Sequence, residues 1–386
     1  MSGTMKFTDS PEQAAVVQAP SYADVVVVAG AGSGKTYTMT RRIITLIEQG
    51  VSPEKILGLT FTRKAASELL SRVSAAVTRD QRERGLKSAN MTFLKPEVST
   101  YDAFFQSIVR QYGLLVGFDQ NTQPLSEAGA MQLIHTVLDR HMDDLMAFDG
   151  DLKSFNTIAG NVFALSNAIS GAMIGGDCTS FDEAVQRVRD WDEAFVEQIA
   201  KALDGEPVPT EEPKSPKLPK RLKKDSDADY EKKLEKYREL GHDMCVFNSA
   251  QLAFVAKQRD LLLDLVLDYH AEKRACNMAE FSDFTIAAFQ LVSRFPSIGA
   301  AYRKRYSHVL LDEYQDTSTT QAALLSALFH VDDTHRSAVN AVGDPFQSIY
   351  AWRGASPGAF RMLQHDFGMD ATSRPFALTV TRRNSR

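Results

Sequence analysis

Asp24-Val25-Val26-Val27-Val28-Ala29-Gly30-Ala31-Gly32-Ser33-Gly34-Lys35-Thr36 is the stretch on which the fold turns. Its first half is a β-branched run of the kind found in buried parallel strands. Its second half is close to a phosphate loop, with Ala29 where the usual form has its first glycine, then four residues and Gly34-Lys35-Thr36, following a strand and opening a helix. The helix signal is there: Lys35–Glu48 has helical spacing through Met39, Ile43, Ile44 and Ile47. Glycines 30, 32 and 34 let successive backbone N–H groups wrap phosphate oxygens while the helix offers its positive end. Gly30, Ala31, Gly32, Ser33, Gly34, Lys35 and Thr36 are therefore candidate nucleotide-binding residues. Lys35 is expected on the β and γ phosphates and the Thr36 hydroxyl on Mg²⁺.

Working outward, residues 56–61 and 97–100 read as further strands, followed by helices over 65–77 and 103–115. From about residue 119 the texture becomes helical, with periodic segments at 127–145, 152–169, 181–203, 228–240 and 249–275. Residues 204–224 carry prolines 207, 209, 213, 216 and 219 and end in Lys217, Lys220, Arg221, Lys223 and Lys224. This stretch reads as a flexible connector, because its apolar content cannot offset the entropy of ordering it. The α/β texture resumes near Phe281, with strands at 308–311, 337–342 and 376–380. The parse is an α/β domain with a parallel sheet, interrupted by a mostly helical insertion of roughly 160 residues.

A nucleotide-hydrolysing site needs a carboxylate at the end of a second strand, and Val309-Leu310-Leu311-Asp312-Glu313 supplies two. Asp312 is the candidate Mg²⁺ ligand, acting through water. Glu313 is the candidate base for the attacking water, a role that needs hydrogen-bond reach of that water. A third strand end, Val342-Gly343-Asp344-Pro345-Phe346-Gln347, brings an amide able both to donate to a γ-phosphate oxygen and to accept from water. These residues describe a P-loop nucleoside triphosphatase and leave open what its energy drives.

Ser348-Ile349-Tyr350-Ala351-Trp352-Arg353-Gly354-Ala355 then sets two aromatics and an arginine among small residues. Tyr350 and Trp352 suit base stacking, worth about 1–3 kcal/mol per base. Leu59-Thr60-Phe61-Thr62-Arg63-Lys64 puts an aromatic, hydroxyls and basic groups at another strand end near a helix N-terminus, a place suited to a backbone phosphate. Phe61 stays open between a core aromatic and a base-contacting one.

Composition sets outer bounds. With 386 residues, 44% hydrophobic and 24% charged, the chain has enough apolar content for a core and is not disordered, collagen-like or fibrous. A net charge of -5 excludes a globally basic nucleic-acid binder but not a local basic surface. The 3 cysteines, Cys178, Cys245 and Cys276, give neither a disulfide framework nor a zinc or iron-sulfur pattern. No run approaches the ~20 apolar residues of a membrane span, and residues 1–20 lack a signal-peptide core. The expectation is a cytoplasmic protein with no membrane partner.

In order along the chain, Phe7-Thr8 with Gln13, residues 29–36, residues 59–66 with Glu68, Ser99-Thr100-Tyr101-Asp102-Ala103-Phe104, residues 309–317 and residues 341–355 resemble the UvrD/Rep-like branch of superfamily 1 DNA helicases. The likeness spans nearly the whole chain outside the helical insertion. It implies ATP and Mg²⁺ as cofactors, single-stranded DNA and duplex junctions as partners, and ATP-driven 3′–5′ movement on DNA in repair or recombination, with protein partners unspecified. By the same resemblance Gln13 would bond the adenine edge and Arg42 would lie against the adenine face. Gln315 and Gln347 would link nucleotide state to the DNA path. Phe61, Tyr350 and Trp352 would touch bases, Thr62, Arg63 and Thr100 would face the DNA backbone, and Arg353 would support the site. The implied domains are a RecA-like domain (1A) at 1–118 and 278–375, a helical insertion (1B) at 119–277, and the start of a truncated second RecA-like domain (2A) at 376–386.

Leu378-Thr379-Val380-Thr381-Arg382-Arg383 resembles the fourth helicase motif, usually Leu-x-x-Asn-Tyr-Arg, with Thr381 and Arg382 in place of the Asn and Tyr. Arg383 fits the arginine that meets the γ phosphate, and Arg382 could stack on adenine through its guanidinium plane. Arg63 stands where an Asn is common. Residues 204–224 fall inside the insertion, as a loop near the duplex or a plain solvated linker. The expectation is a monomeric N-terminal portion of a longer helicase, binding nucleotide weakly and turning over slowly or not at all by itself. Two other readings compete. A non-catalytic nucleic-acid-binding module would have little reason to keep Lys35, Asp312, Glu313 and Gln347. A DNA-independent NTPase switch would leave Tyr350 and Trp352 without a role.

Overall fold

The computed structural model describes residues 9–83, 95–147, 154–176, 178–223, 225–332, 334–348, 359–369 and 375–381. Among these, the strands are β1 (Val25–Ala29), β2 (Ile56–Thr60), β3 (Glu97–Thr100), β4 (Gln123–Pro124), β5 (Met278–Ala279), β6 (His308–Leu311), β7 (Ala338–Gly343) and β8 (Phe376–Leu378). The helices are α1 (Pro11–Val17), α2 (Lys35–Glu48), α3 (Arg63–Glu83), α4 (Tyr101–Tyr112), α5 (Glu127–Arg140), α6 (Met142–Ala147), α7 (Phe155–Ala172) and α8 (Phe181–Leu203). They continue with α9 (Asp227–Ala275), α10 (Phe281–Arg294), α11 (Pro296–Arg305), α12 (Thr319–Phe329) and α13 (Ala359–Asp366).

Six strands form one sheet in the order β3-β2-β6-β7-β1-β8, parallel throughout. Parallel neighbours need long crossovers, and the intervening helices supply them. The register pairs Val28 with Gly343, Leu311 with Ala341, and Leu59 with Leu311. The residues that follow β1, β2, β6 and β7 therefore emerge along one edge, where open α/β sheets bind ligands. On one side of the sheet, Val16, Met39, Ile43, Leu46, Leu69 and Val73 from α1, α2 and α3 bury against Val25, Val27, Leu310, Val342 and Leu378. A separate aromatic cluster gathers Phe104 of α4 with Tyr302 of α11, Tyr306 and Phe329 of α12, at ring separations of 5.7 to 6.2 Å.

The chain divides into two compact units. The first comprises Met1–Gly129, Ser166–Phe181 and Lys273–Arg386 and holds the sheet. The second comprises Ala130–Leu165 and Asp182–Glu272 and is helical. Within the first, β4 and β5 pair Gln123 with Met278 beside the ends of the insertion. The Lys273 ammonium there is buried and donates to Glu280 at 2.8 Å and to both Asp283 oxygens at 2.9 and 2.7 Å.

Two sequence expectations change. Phe376–Leu378, expected to open a second domain, is the sixth strand of this sheet and pairs with β1. The open edge of β1 offers it hydrogen bonds, Leu378 buries its side chain in the core, and Glu12 accepts from the Thr379 amide at 2.7 Å. The segments 228–240 and 249–275 are one helix of 49 residues, α9. Gly241 breaks the sequence pattern, but a mid-helix glycine costs only about 1 kcal/mol. Flanking ion pairs, such as Arg189 of α8 with Asp264 and Arg259 with Asp192 at 3.2 Å, hold α9 along its length beyond that glycine.

Candidate nucleotide site and nucleic-acid interface

Gly34 sets the shape of the phosphate loop. Its φ is +91°, left-handed backbone that strains a residue with a side chain, and a Cβ there would meet Gln13 Nε2 at 2.8 Å, so that the Gln13 amide would have to shift. Gly34 also stands as the N-cap of α2 with no side chain to satisfy the first-turn N–H groups, and that turn carries no acidic residue. A helix start left this way is a ready anion site. Ser33 closes the loop by donating to the Gly30 carbonyl at 2.8 Å. Gln13 donates to the Ser33 carbonyl at 3.1 Å while its own Oε1 caps α1 by accepting from the Ser10 amide.

Lys35 joins three strand ends. Its ammonium lies 3.2 Å from Glu313 Oε2, beyond β6, and donates to Gln347 Oε1, beyond β7, at 3.4 Å. Gln315 extends the network: its amide donates to Glu313 Oε2 at 2.9 Å and its Oε1 accepts from the Asp344 amide at 2.9 Å. Glu313 sits at φ 51°, left-handed backbone that costs an ordinary residue about 1–2 kcal/mol. The neighbouring contacts hold that conformation, which turns the carboxylate toward Lys35 rather than along the strand.

Asp312 is nearly buried, accepting from the Glu313 amide at 3.1 Å and from Thr60 Oγ1 at 3.4 Å. Burial, and then the adjacent Glu313 charge, push its carboxyl up to about 6. A carboxylate held short of positive charge is suited to a divalent cation. Among the described residues there is no group of three His, Cys, Asp or Glu side chains able to hold a metal ion. A cation here would therefore take Thr36, Asp312 and phosphate oxygens, which is how Mg²⁺ is commonly held with nucleotides. The donor set fits Mg²⁺ bound with a nucleoside triphosphate.

Arg42 is not at this site. It is 1% exposed, and its guanidinium donates to Asn340 Oδ1 at 3.1 Å and to the carbonyls of Val17, Ala19 and Pro20. Two helical turns beyond the loop, it ties α1 and its exit to β7, and it has no free face for a base. The reading that placed it against adenine is corrected by that burial. Tyr37, which sequence reasoning passed over, stands instead beside the loop: its Cβ is 3.9 Å from the position a Gly34 Cβ would take, and its hydroxyl donates to Asp9 at 2.7 Å. Its place directly after Thr36, in the first turn of α2, was the available signal.

On the same sheet edge, Phe61 is half-buried with its ring centroid 4.7 Å from that of Tyr101. Tyr101 is buried and donates its hydroxyl to the Asp312 carbonyl at 3.0 Å. A chain of contacts thus runs from the Asp312 backbone to Phe61. Thr62 and Thr100 cap α3 and α4 by accepting from the amides of Ala65 and Ala103, and Thr62, Arg63 and Lys64 are exposed. Phe346, 96% exposed between Asp344 and Gln347, adds an aromatic that sequence reading did not single out. Tyr350, Trp352, Arg353, Arg382 and Arg383 lie outside the described residues, as do Phe7 and Thr8. Thr381, next to Arg382, donates to the Ala31 carbonyl at 3.2 Å, so the strand leaving β8 runs against the loop.

Comparison with known proteins agrees with this geometry. Residues 9–368 match the family described as UvrD/REP helicase N-terminal domain. The chain is 27% identical to an ATP-dependent helicase/nuclease subunit of Streptococcus equi subsp. zooepidemicus, over 89% of this chain and 35% of that protein. Proteins of the same name from Staphylococcus aureus and Staphylococcus haemolyticus are 25% and 24% identical over 90% and 93% of this chain, and 36% of each relative. The chain thus spans about a third of the length of these relatives. With a parallel sheet, a phosphate loop and its partner carboxylates in place, and a family match over residues 9–368, the chain belongs to the UvrD/REP helicase N-terminal domain family.

Proposed function

We propose that this chain is the ATP- and DNA-binding N-terminal part of an ATP-dependent 3′–5′ DNA helicase acting in repair or recombination. The observation that carries the reading is the Lys35 network, which joins the phosphate loop to Glu313, Gln315 and Gln347 and so to the strand ends bearing the nucleic-acid-side residues. Mg²⁺, when bound with ATP, would screen phosphate charge and be held by Thr36 and Asp312. The protein's own groups do the rest. Lys35 and the α2 N-terminus orient the phosphates, and Glu313 is placed to accept a proton from water once Lys35 turns to the nucleotide. Gln347 exchanges its bond to Lys35 for one to phosphate. Gln315 then carries the rearrangement to Asp344, whose amide it holds. Tyr101 connects the Asp312 carbonyl to Phe61, the surface proposed for bases. The direction of movement comes from the family likeness, and slow turnover by this chain alone is part of the proposal.

The test is to titrate a labelled oligo-dT with the protein, with and without a non-hydrolysable ATP analogue, and to follow ATP hydrolysis in the same samples. The reading expects oligo-dT binding altered by the analogue and hydrolysis far below a motor enzyme's. Absence of oligo-dT binding with intact nucleotide binding would favour a DNA-independent NTPase. Rapid DNA-stimulated hydrolysis would overturn the slow-turnover claim.

A further inference from the structure

A cradle for phosphate needs its N–H groups turned inward and its carbonyls turned elsewhere. In this loop the carbonyls of Gly30, Ala31, Ser33 and Gly34 all have donors within the protein. Gly30 accepts from the Ser33 hydroxyl at 2.8 Å, Gly34 from the Thr38 hydroxyl at 3.1 Å, and Ser33 from Gln13 at 3.1 Å. Those donors belong to the loop itself, to α2 and to α1. Ala31 is different, because its carbonyl accepts from the Thr381 hydroxyl, at 3.2 Å, on the exit of β8. That exit has left its ladder: the pairing of β1 with β8 ends where Ala29 meets Leu378, and Thr379, Val380 and Thr381 are exposed. Glu12, next to Gln13 in the first turn of α1, grips it. Its two oxygens accept from the Thr379 amide at 2.7 Å and from the Thr379 hydroxyl at 2.5 Å. Those bonds, the hydroxyl's first, hold the Glu12 carboxyl below the usual carboxylate range.

We propose that Glu12 is a positioning residue for the phosphate loop: by gripping Thr379 it keeps Thr381 on the Ala31 carbonyl, and so keeps that acceptor away from an incoming phosphate. Glu12 acts through Thr379 and Thr381 rather than by touching the loop. The Ala31 carbonyl and the Gly32 N–H share one planar peptide and point opposite ways, so a carbonyl that turns in also turns a donor out. Gly32 offers that flip little resistance, since it sits at φ +75° and glycine populates both signs of φ. A peptide so easily turned needs a hold from outside, and the exit of β8 supplies it. Helix α1 thus reaches the loop twice, directly through Gln13 at Ser33 and indirectly through Glu12 at Ala31. An acidic residue in a first helical turn also suits the helix dipole, but that role asks only for charge and not for a two-bond grip on Thr379. The consequence for nucleotide affinity rests on the proposed function, whereas the hold on the loop does not.

The test compares the full chain with Glu12→Ala, Glu12→Gln, Thr381→Val and the double variant Glu12→Ala with Thr381→Val. Hydrogen exchange of the amides of residues 30–33 is followed without nucleotide, and affinity for a fluorescent ATP analogue with Mg²⁺ is measured in parallel. Loop exchange should quicken by about threefold or more in Glu12→Ala and in Thr381→Val. Analogue affinity should weaken in both by about threefold to tenfold, the scale of one neutral hydrogen bond. Glu12→Gln should stay within about twofold of wild type, because its amide can accept from the Thr379 N–H and donate to the Thr379 hydroxyl. The double variant should be no worse than either single one, since both remove the same hold. Unchanged loop exchange in Glu12→Ala would overturn the proposal. A Glu12→Gln as impaired as Glu12→Ala would do the same by leaving only a helix-dipole charge, as would losses that multiply in the double variant. A wild type that binds no analogue, with loop exchange still quickened in Glu12→Ala, would support the positioning role and count against the nucleotide reading.

Discussion

Asp312 ends β6 with its carboxyl pushed up to about 6, by burial first and by the Glu313 charge second, from an ordinary value of 3.8. A raised carboxyl means that the folded state binds more protons than the unfolded state between those two values. Stability is therefore lost as pH rises through that window, and the full penalty is present above it. About two pKa units correspond to about 3 kcal/mol at neutral pH, shrinking to about 1 kcal/mol near pH 4.5. Asp312→Asn removes the penalty while keeping the shape: its Oδ1 still accepts from the Glu313 amide, and its Nδ2 can donate to Thr60. Urea denaturation without nucleotide should show the variant more stable by about 2–3 kcal/mol near pH 7.5, with the gap closing toward pH 4.5. The relevant transition is the one that ATP with Mg²⁺ shifts in the wild type. In the variant, Mg²⁺ should add little to that nucleotide-dependent shift. A variant no more stable than wild type, or a gap independent of pH, would refute the account of Asp312 as a carboxylate awaiting a cation.

Other substitutions test separate parts of the structure. Arg42→Met should destabilise the fold by about 3 kcal/mol or more, because it strips buried carbonyls of their donor. ATP-analogue affinity of the folded fraction should be unchanged in this variant, and a loss there with stability intact would return Arg42 to the base site. Gly34→Ala should cost about 1–2 kcal/mol in denaturation and weaken analogue binding, since the residue is held at φ +91° and a methyl there would displace the Gln13 amide. Tyr101→Phe leaves the Asp312 carbonyl without its donor and should cost about 1–3 kcal/mol. It should also weaken the effect of the analogue on oligo-dT binding, and preserved coupling would remove Tyr101 from the path. Lys273→Met removes the cation from the buried Asp283 carboxylate and should cost about 3–5 kcal/mol by urea denaturation.

Much of the sheet was readable because its signals are local. A valine run before a glycine loop, and apolar strands ending in Asp312-Glu313 and Gly343-Asp344, put chemistry at strand ends wherever the strands pair. Strand order was not readable in this way. Phe376–Leu378 looks like any short edge strand, and only the open side of β1 decides that it joins this sheet. Arg42 shows the same limit at the level of one side chain. Helical periodicity places it on α2 but says nothing of the carbonyls of Val17, Ala19 and Pro20 that fold back over it. The contacts of residues 206–221 were hidden because composition reports entropy and apolar content, whereas Glu206 pairs with His242 and Arg221 lies over Tyr230, partners on α9 distant in sequence. Gly241 likewise suggested a break that contacts with α8 along the rest of α9 outweigh.

Lys35 is the residue on which the nucleotide reading depends most directly, since its ammonium meets both Glu313 and Gln347. The decisive measurement is the affinity of a fluorescent ATP analogue, with Mg²⁺, for wild type and for Lys35→Ala under conditions where both are folded. Wild-type binding should be saturable, should require Mg²⁺, and should weaken by about tenfold or more on loss of the half-buried Lys35 charge, as expected for a charge-assisted contact to phosphate. Equal affinity in the two proteins, or wild-type binding indifferent to Mg²⁺, would contradict that role for Lys35.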